Sequence, residues 1–289
     1  MSLENENFLE KIMFEKLKKQ LREATDVDCE GYRPEYLKRR LEIRLRATNS
    51  KTYGDYARYL KANPKEHDLL LNDLTINYSL FFRDSDVFLS LKEKIFPEFF
   101  SSKTARIWSA GCATGEEPYS LAILANECKS RSTKDLQVTI YASDVDRDAL
   151  AKAARGKYDL KSLQGVEQSL VDKYFAREGE LFSVKDFVKQ SVRFERHDLM
   201  TSPSHQNLDL VLCRNVMIYF SRESQQKIHM HFYDSLKEGG YLVIGKTEML
   251  SGEPSKKFVC VDSGTRIYKK TKETIGFEKP TTLPVAYLK

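Results

Sequence analysis

One stretch, residues 106–120 with the sequence RIWSAGCATGEEPYS, predicts a strand, then a glycine turn, then a helix. A short apolar run ends just before Gly111 and Gly115, which supply a turn where the backbone can approach a ligand or adopt a positive φ. Pro118 suits a first helical turn, where its missing N–H costs nothing. In an open α/β sheet, ligands bind where a strand passes into a helix in this way.

The spacing in this turn narrows the choice of ligand. Gly111 and Gly115 are four positions apart, so they do not form a Gly-x-Gly-x-x-Gly dinucleotide fingerprint, and no P-loop lysine follows them. Glu116 and Glu117 stand at the helix start, where acids favour the helix dipole but would repel a pyrophosphate. These acids suit a positively charged ligand such as S-adenosylmethionine, which has a sulfonium, an amino group and no phosphate.

A further acid fits the same ligand. Residues 138–144 predict the next strand, which ends in Asp144. An acid at the tip of that strand can accept hydrogen bonds from the ribose hydroxyls of a nucleoside. The glycine turn alone could be an ordinary tight loop, but its combination with Asp144 favours a nucleoside site.

Composition limits the class of protein. The 289 residues allow one large domain or two modest ones, and a net charge of +5 permits an acidic partner without demanding nucleic acid. The five cysteines are scattered without a Cys-x-x-Cys, and His229 and His231 would lie on different helix faces, so no metal site is predicted. The polar N-terminus and the lack of a membrane-spanning apolar run predict a cytoplasmic protein.

The order of predicted elements divides the chain. Residues 1–75 read as a helical N-terminal domain, and residues 76–103 as a linker that can fold over a neighbouring site. Strands and helices then alternate over 104–270, which argues for a parallel sheet. A small insert interrupts this pattern at about 156–196, and residues 271–289 are expected to be a loose tail.

The helix predicted over residues 34–47 is both amphipathic and basic. Leu37, Leu41 and Leu45 fall on one face. Five cations cover much of the rest, namely Lys38, Arg39, Arg40, Arg44 and Arg46. The basic side is either a solvated surface or a docking surface for an acidic partner.

The chain resembles the chemotaxis-receptor glutamate methyltransferases, the CheR family, from about residue 10 to 270. Four blocks carry the resemblance in order: the linker 75–84 with Phe81-Phe82-Arg83, the glycine block 108–120, Ala142 to Asp146, and Cys213 to Phe220. The glycine block alone indicates only a class of nucleoside-dependent methyltransferases. The linker and the last block are far more specific.

This resemblance implies a class I S-adenosylmethionine-dependent methyltransferase of α/β, Rossmann-like fold, with a small antiparallel insert and an all-α N-terminal domain. It implies methyl transfer to glutamates on the cytoplasmic helices of chemotaxis receptors, with S-adenosylhomocysteine as the product, for sensory adaptation. Besides Gly111 of the glycine turn, the motifs imply cofactor contacts from Asn77, Ser79, Arg83, Glu117, Asp144, Asp198, Leu199, Asn215 and Val216. Tyr219 would lie beside the reacting methyl group.

The expected chemistry needs little from the protein. A glutamate carboxylate is ionised at neutral pH and requires no general base, so catalysis would come from alignment of the reacting atoms. Arg83 could orient the carboxylate or could clamp the linker, and Tyr219 could donate a hydrogen bond or pack in the core. Arg214, which follows a predicted strand, is a further candidate for orienting the carboxylate.

The chain departs from the family pattern in four places. Ser79 replaces a frequent Thr and keeps the hydroxyl, whereas Asp198 replaces a frequent Asn and adds negative charge near the adenine. Lys246 stands where His is usual, and no role is predicted for it. The turn at 177–180 is short, which puts tethering to a receptor's C-terminal peptide in doubt.

Two other functions compete with receptor methylation. A nucleic-acid methyltransferase would use the basic helix 34–47, but Arg214-Asn215-Val216 stands where an Asn/Asp-Pro-Pro-Tyr/Phe motif would be needed, so no nucleic acid is expected. A non-catalytic S-adenosylmethionine-sensing module is the second alternative. The presence of Arg83, Asp144 and Tyr219 argues against it.

Overall fold

The N-terminal domain is a small helical bundle. The computed structural model describes residues 3–25, 27–130, 132 and 136–271. The first helices are α1 (Leu3–Thr25), α2 (Pro34–Ala47), α3 (Tyr53–Ala62) and α4 (Lys65–Leu74). Apolar residues that recur at helical spacing bury one side of each helix, and Leu17, Leu41, Tyr56 and Leu70 are fully buried in the common core. At the start of α3, Thr52 and Asp55 form a reciprocal capping box.

The rest of the chain alternates strands and helices. The remaining helices are α5 (Ser85–Ser90), which continues through a π-helical turn into α6 (Phe96–Phe99), then α7 (Glu116–Ser130), α8 (Arg147–Arg155), α9 (Gln168–Tyr174), α10 (Asp186–Lys189), α11 (Arg222–Ser235) and α12 (Pro254–Lys257). The strands are β1 (Thr104–Ala110), β2 (Gln137–Asp144), β3 (Lys157–Tyr158), β4 (Phe175–Glu178), β5 (Leu181–Val184), β6 (Val192–Arg196), β7 (Leu208–Cys213), β8 (Leu236–Ile244), β9 (Phe258–Asp262) and β10 (Ile267–Lys270). Among the described residues, no helix is long and apolar enough to cross a membrane.

Seven of the described strands form one mixed sheet in the order β6-β2-β1-β7-β8-β10-β9. The strands from β6 to β8 are parallel, and β10 and β9 close one edge in antiparallel pairing. Trp108 of β1 pairs with Tyr141 of β2 on one side and Val211 of β7 on the other. The strand order reverses at β1, which is where ligands bind in sheets of this kind.

The insert is smaller than the sequence predicts. A second sheet pairs β3, β5 and β4 in antiparallel fashion, and only Gly179 and Glu180 separate β4 from β5. The prediction that residues 192–195 belong to this insert is wrong, because β6 pairs in parallel with β2 at the edge of the main sheet. Val192 and Phe194 pack on the main core while Arg193 is exposed. Alternation of apolar and exposed residues occurs both in an antiparallel ribbon and in a half-buried edge strand, so this sequence pattern cannot distinguish the two.

The basic helix α2 is not free along its whole polar side. The Arg44 guanidinium donates to both Glu66 oxygens at 2.8 Å and to Asp73 at 3.0 Å, and the Arg44 side chain is only 14% exposed. Glu66, on α4, is buried and also accepts a hydrogen bond from the Tyr56 hydroxyl. The prediction that Arg44 faces a partner is therefore wrong, because a buried carboxylate needs a cation of its own. Lys38 and the other α2 arginines make no such network in the described residues.

The linker is anchored by its two adjacent phenylalanines. Phe81 is buried edge-to-face against Tyr158 and Phe175 of the insert, with ring centroids 4.9 and 5.0 Å apart. Phe82 packs against Phe88 of α5 at 5.2 Å. These aromatic pairs hold the linker across the carboxyl ends of the central strands.

Candidate active site

A cleft lies at the carboxyl ends of β6, β2, β1 and β7. The linker covers it, and Tyr32 of the N-terminal domain forms part of its wall. The empty volume of the cleft is about 1140 Å³, which includes the open solvent space at its mouth. Every predicted site residue lines this cleft, namely Asn77, Ser79, Arg83, Gly111, Glu117, Asp144, Asp198, Leu199, Asn215, Val216 and Tyr219. The structure thus brings the predicted residues together, and their individual contacts with a ligand remain predictions.

The glycine turn after β1 is held tightly against β2. The N–H groups of Gly111 and Cys112 donate to the Ser143 carbonyl at 2.8 and 2.9 Å. Gly111 has φ +77°, and a Cβ there would lie 2.6 Å from Cγ2 of Val216. Both the positive φ and the close approach of Val216 require glycine at this position.

Of the two acids at the start of α7, only one faces the cleft. Glu117 lines the cleft, whereas Glu116 is buried and accepts hydrogen bonds from the Thr114 hydroxyl at 2.8 and 3.0 Å. Burial raises the pKa of Glu116 to about 7. The expectation that both acids face a ligand is wrong for Glu116, because successive helical residues point in different directions.

Asp144 is fixed by backbone hydrogen bonds. Its Oδ2 accepts from the Ala113 N–H at 2.8 Å, and its Oδ1 accepts from the Asp146 N–H at 3.0 Å. Burial raises the pKa of Asp144, although these N–H donors oppose the rise. Each carboxylate oxygen keeps further acceptor capacity for a ligand hydroxyl.

Asn215 lines the cleft and has a side-chain acceptor without a partner in the described residues. It adopts a left-handed conformation with φ +61° and is the second residue after β7. Its Oδ1 is buried, and no hydrogen-bond donor contacts this oxygen within the described residues. A buried polar atom without a partner costs about 1–3 kcal/mol, so an N–H or O–H donor on a ligand would be stabilised here.

The buried guanidinium of Arg214 fastens the linker to the floor of the cleft. It contacts Glu117 at 3.3 Å and Asp84 at 2.5 Å, and donates to the Arg83 carbonyl at 2.8 Å. The Arg214 side chain is 2% exposed. Glu117 in turn accepts a hydrogen bond from the Ser109 hydroxyl at 2.8 Å. Arg214 therefore connects the end of β7, the start of α7 and the linker.

This clamp stabilises a strained backbone. Phe82 and Asp84 adopt left-handed conformations, with φ of +52° and +55°. Such conformations cost energy in residues other than glycine, so the surrounding contacts must hold them. The sequence suggested Arg214 only as a residue that orients the acceptor. Its structural role was not predicted from the sequence, although a buried arginine that follows a buried strand needs acidic partners.

Arg83 and Tyr219 line the cleft with side chains that keep hydrogen-bond donors for a ligand. Nη1 of Arg83 donates to the Tyr78 carbonyl at 3.3 Å, and no carboxylate pairs with Arg83 in the described part of the chain. Burial raises the pKa of the Tyr219 hydroxyl, although the positive charges of Arg40 and Arg83 oppose the rise. Tyr219 therefore remains protonated at neutral pH and can donate a hydrogen bond. Its ring packs 4.8 Å from that of Tyr36 on α2.

Asp198 and Asn77, like Glu117 and Asp144, use their side chains within the protein. Asp198 accepts hydrogen bonds from the N–H groups of Asp28 and Met200, each at 2.9 Å. Asn77 donates from Nδ2 to Asp146 at 2.6 Å. Asp28 belongs to the N-terminal domain, so Asp198 ties that domain to the cleft. No local pattern could reveal this contact between residues 170 positions apart.

The chemistry of the cleft fits S-adenosylmethionine. Carboxylates of Glu117 and Asp144 lie inside it, which suits a ligand with sulfonium and amino charges, and the buried Oδ1 of Asn215 has no hydrogen-bond donor among the described residues. In the described residues, no group of three or more His, Cys, Asp and Glu side chains is arranged to hold a metal ion.

Comparison with known families assigns almost the whole chain. Residues 77–267 match the family model described as CheR methyltransferase, SAM binding domain, and residues 12–75 match the model described as CheR methyltransferase, all-alpha domain.

Individual relatives agree with these matches. A chemotaxis protein methyltransferase 2 from Vibrio cholerae is 30% identical over 89% of each chain. A chemotaxis protein methyltransferase from Listeria innocua is 31% identical over 78% of this chain and 85% of its own. Among solved structures, PKMT2 from Rickettsia typhi in complex with AdoHcy is 14% identical, with a TM-score of 0.36 over 58% of this chain and 26% of its own, which is too distant to bear on the site.

These matches agree with the mixed sheet, the helical N-terminal domain and the acid-lined cleft. The protein is a methyltransferase that uses S-adenosylmethionine as its cofactor. The chain belongs to the CheR methyltransferase family.

Proposed function

We propose that this protein methylates glutamate side chains of chemotaxis receptors in the cytoplasm, forming glutamate methyl esters and S-adenosylhomocysteine for sensory adaptation. One observation carries the proposal. Arg83 and Tyr219, a cation without a carboxylate partner among the described residues and a protonated hydroxyl, line the same cleft as the acids Glu117 and Asp144. The acids suit a positively charged cofactor, and the cation and hydroxyl suit an acceptor carboxylate.

The predicted residues would divide the binding of the cofactor among them. Asp144 would accept hydrogen bonds from the ribose hydroxyls, and Oδ1 of Asn215 would accept one from a nucleoside N–H. Contacts are also proposed for Asn77, Ser79, Arg83, Gly111, Glu117, Asp198, Leu199 and Val216. When bound, the cofactor supplies a methyl group that is already activated by a sulfonium.

The protein's own catalytic work would be orientation. The guanidinium of Arg83 would bind the acceptor carboxylate by a charge-assisted hydrogen bond, and the Tyr219 hydroxyl would donate a second one. The carboxylate is ionised at neutral pH, so no residue has to remove a proton. Alignment of this kind lowers the barrier by fixing reactants that would otherwise move freely.

The experiment that tests this function follows a labelled methyl group. The protein is incubated with methyl-labelled S-adenosylmethionine and either receptor cytoplasmic fragments or RNA. We expect label in the receptor fragment only, and we expect mild base to release it, because a carboxyl methyl ester is hydrolysed there. Base-stable label in RNA would indicate a nucleic-acid methyltransferase. Cofactor binding without transfer to either acceptor would indicate a sensing module.

We further infer that α2 docks the receptor by charge. Lys38, Arg39 and Arg46 are exposed, and Arg40 is half-buried beside Tyr36, with its guanidinium 5.4 Å from that ring. Helical receptor segments rich in glutamate would complement this surface. Arg44 is left out of this surface because of its ion pairs with Glu66 and Asp73, and tethering of a C-terminal peptide to the short β4–β5 turn is not proposed.

Charge reversal on α2 should weaken docking without touching the cleft. The double variant Arg39→Glu with Arg46→Glu is expected to raise the KM for receptor about tenfold at low salt, since such charges govern encounter and register. Affinity for S-adenosylmethionine should not change, and methylation by the unmodified protein should fall as salt rises to physiological strength. The matched control is Arg58→Glu with Lys61→Glu on α3, which reverses two exposed charges of the same domain. A normal KM in the α2 variant would leave this helix as a solvated surface.

A further inference from the structure

Three exposed apolar side chains surround the mouth of the cleft. Ile76 and Tyr78 belong to the linker and are 38% and 63% exposed, and Ile218, which precedes Tyr219, is 38% exposed. All three line the cleft. A single exposed apolar residue is ordinary, but several around one opening mark a binding surface. We call these three residues the apolar rim.

The rim lies among cations that would attract an acidic partner. The Arg83 guanidinium is 5.8 Å from the ring centroid of Tyr78. Arg40 of α2 reaches the same region, since its guanidinium is 5.4 Å from the Tyr36 ring, which packs on Tyr219. The mouth therefore combines apolar side chains with positive charge, while the acids lie inside the cleft.

The rim is preorganised by the protein around it. Before Ile76, the Thr75 hydroxyl donates to Asp146 at 2.6 Å. Ile218 lies in the short 3-10 turn Met217–Tyr219, whose Met217 is buried. A surface that is already ordered loses little conformational freedom when it binds, which favours affinity.

We infer that the apolar rim binds apolar side chains next to the acceptor glutamate on a helical, glutamate-rich partner segment. This inference rests on the proposed function and narrows its substrate. On a helix, residues three and four positions from the glutamate lie on the same face. When that glutamate enters the cleft beside Arg83, these neighbours meet the rim. The preferred acceptor is therefore a glutamate flanked by apolar residues at those positions, rather than any accessible glutamate.

The test combines rim variants with altered acceptors. Ile76→Ser with Ile218→Ser is expected to raise the KM for a receptor helical segment about tenfold, as removal of small apolar contacts does elsewhere. Turnover at saturating segment and affinity for S-adenosylmethionine should stay near those of the unmodified protein. The matched control, Leu89→Ser with Val259→Ser, changes two exposed apolar residues that do not line the cleft and should leave the KM unaltered.

The second arm replaces the segment's apolar residues three and four positions from the glutamate by serine. This replacement should raise the KM of the unmodified protein for the segment by a similar factor. It should raise the KM of the rim variant little further, because the rim variant already lacks the contact that the replacement removes. Fully additive losses, or equal effects of rim and control variants, would overturn the rim's role. Failure of the unmodified protein to methylate the original segment would instead overturn the proposed function, and the rim's role with it.

Discussion

Replacing Arg83 by alanine is expected to lower kcat for methyl transfer about a hundredfold, since misalignment of the acceptor can cost this much. Affinity for S-adenosylmethionine should fall much less. The Arg83 guanidinium contacts the described residues through one weak hydrogen bond to the Tyr78 carbonyl and through the Tyr78 ring, so it is available to a carboxylate. Single-turnover rates measure the first effect, and calorimetry with the cofactor measures the second.

A conservative variant sharpens this experiment. Arg83→Lys keeps the positive charge but loses the forked geometry that binds a carboxylate through two N–H groups, so its kcat should lie between those of the unmodified protein and Arg83→Ala. The fold should persist in both variants because no described carboxylate loses a partner. Equal losses of turnover and cofactor affinity would make Arg83 a clamp on the cofactor instead of an orienting group.

The sequence predicted what depends on local pattern. Apolar runs of strand length located β1, β2 and β7, and the glycine spacing located the turn after β1, where Gly111 has a positive φ. Asp144 followed from its place at the end of a predicted strand. Carboxyl ends of parallel strands meet at one edge, so these local features were sufficient to predict the cleft.

Features that depend on partners distant in sequence were not predictable. The sequence predicted Arg44 as a surface cation, but α4 places Glu66 beside it. It predicted residues 192–195 as part of the insert, but β6 pairs with β2. The contact of Asp198 with the cofactor stays a prediction, but its hydrogen bond with a backbone N–H of the N-terminal domain could not be predicted. Each of these groups needs a partner: an opposite charge or a hydrogen-bond donor for a charged side chain, and a neighbouring strand for β6. No local pattern in the sequence identifies that partner.

Arg214 shows the same limit within the site. Its motif pointed to chemistry, whereas its contacts with Glu117 and Asp84 indicate support of the linker. Because the guanidinium is buried, its removal would leave two carboxylates unpaired. The orientation proposed for Arg83 would thus depend on Arg214, which holds the Arg83 carbonyl and the left-handed Asp84 in place.

Replacing Asp144 by alanine is expected to weaken S-adenosylmethionine binding at least tenfold, since charge-assisted hydrogen bonds contribute about 1.5–3 kcal/mol. The variant also frees the N–H groups of Ala113 and Asp146, so the glycine turn should lose order near the ribose. Isothermal calorimetry measures the affinity, and an unchanged cooperative thermal transition would show that the fold persists. The matched control is Asp148→Ala, which removes an exposed acid that does not line the cleft and should bind the cofactor normally.

The pH dependence provides a second signature of Asp144. Burial raises the pKa of this carboxyl above the ordinary value, so it takes up a proton at higher pH than an exposed aspartate. The protonated form accepts hydrogen bonds poorly, and cofactor affinity should therefore fall as pH is lowered towards that pKa. Asp144→Ala should show a shallower fall than the unmodified protein, because the variant lacks the carboxyl whose protonation lowers the affinity. Unchanged affinity in the variant, or an identical pH profile, would mean that the ribose is held by other groups.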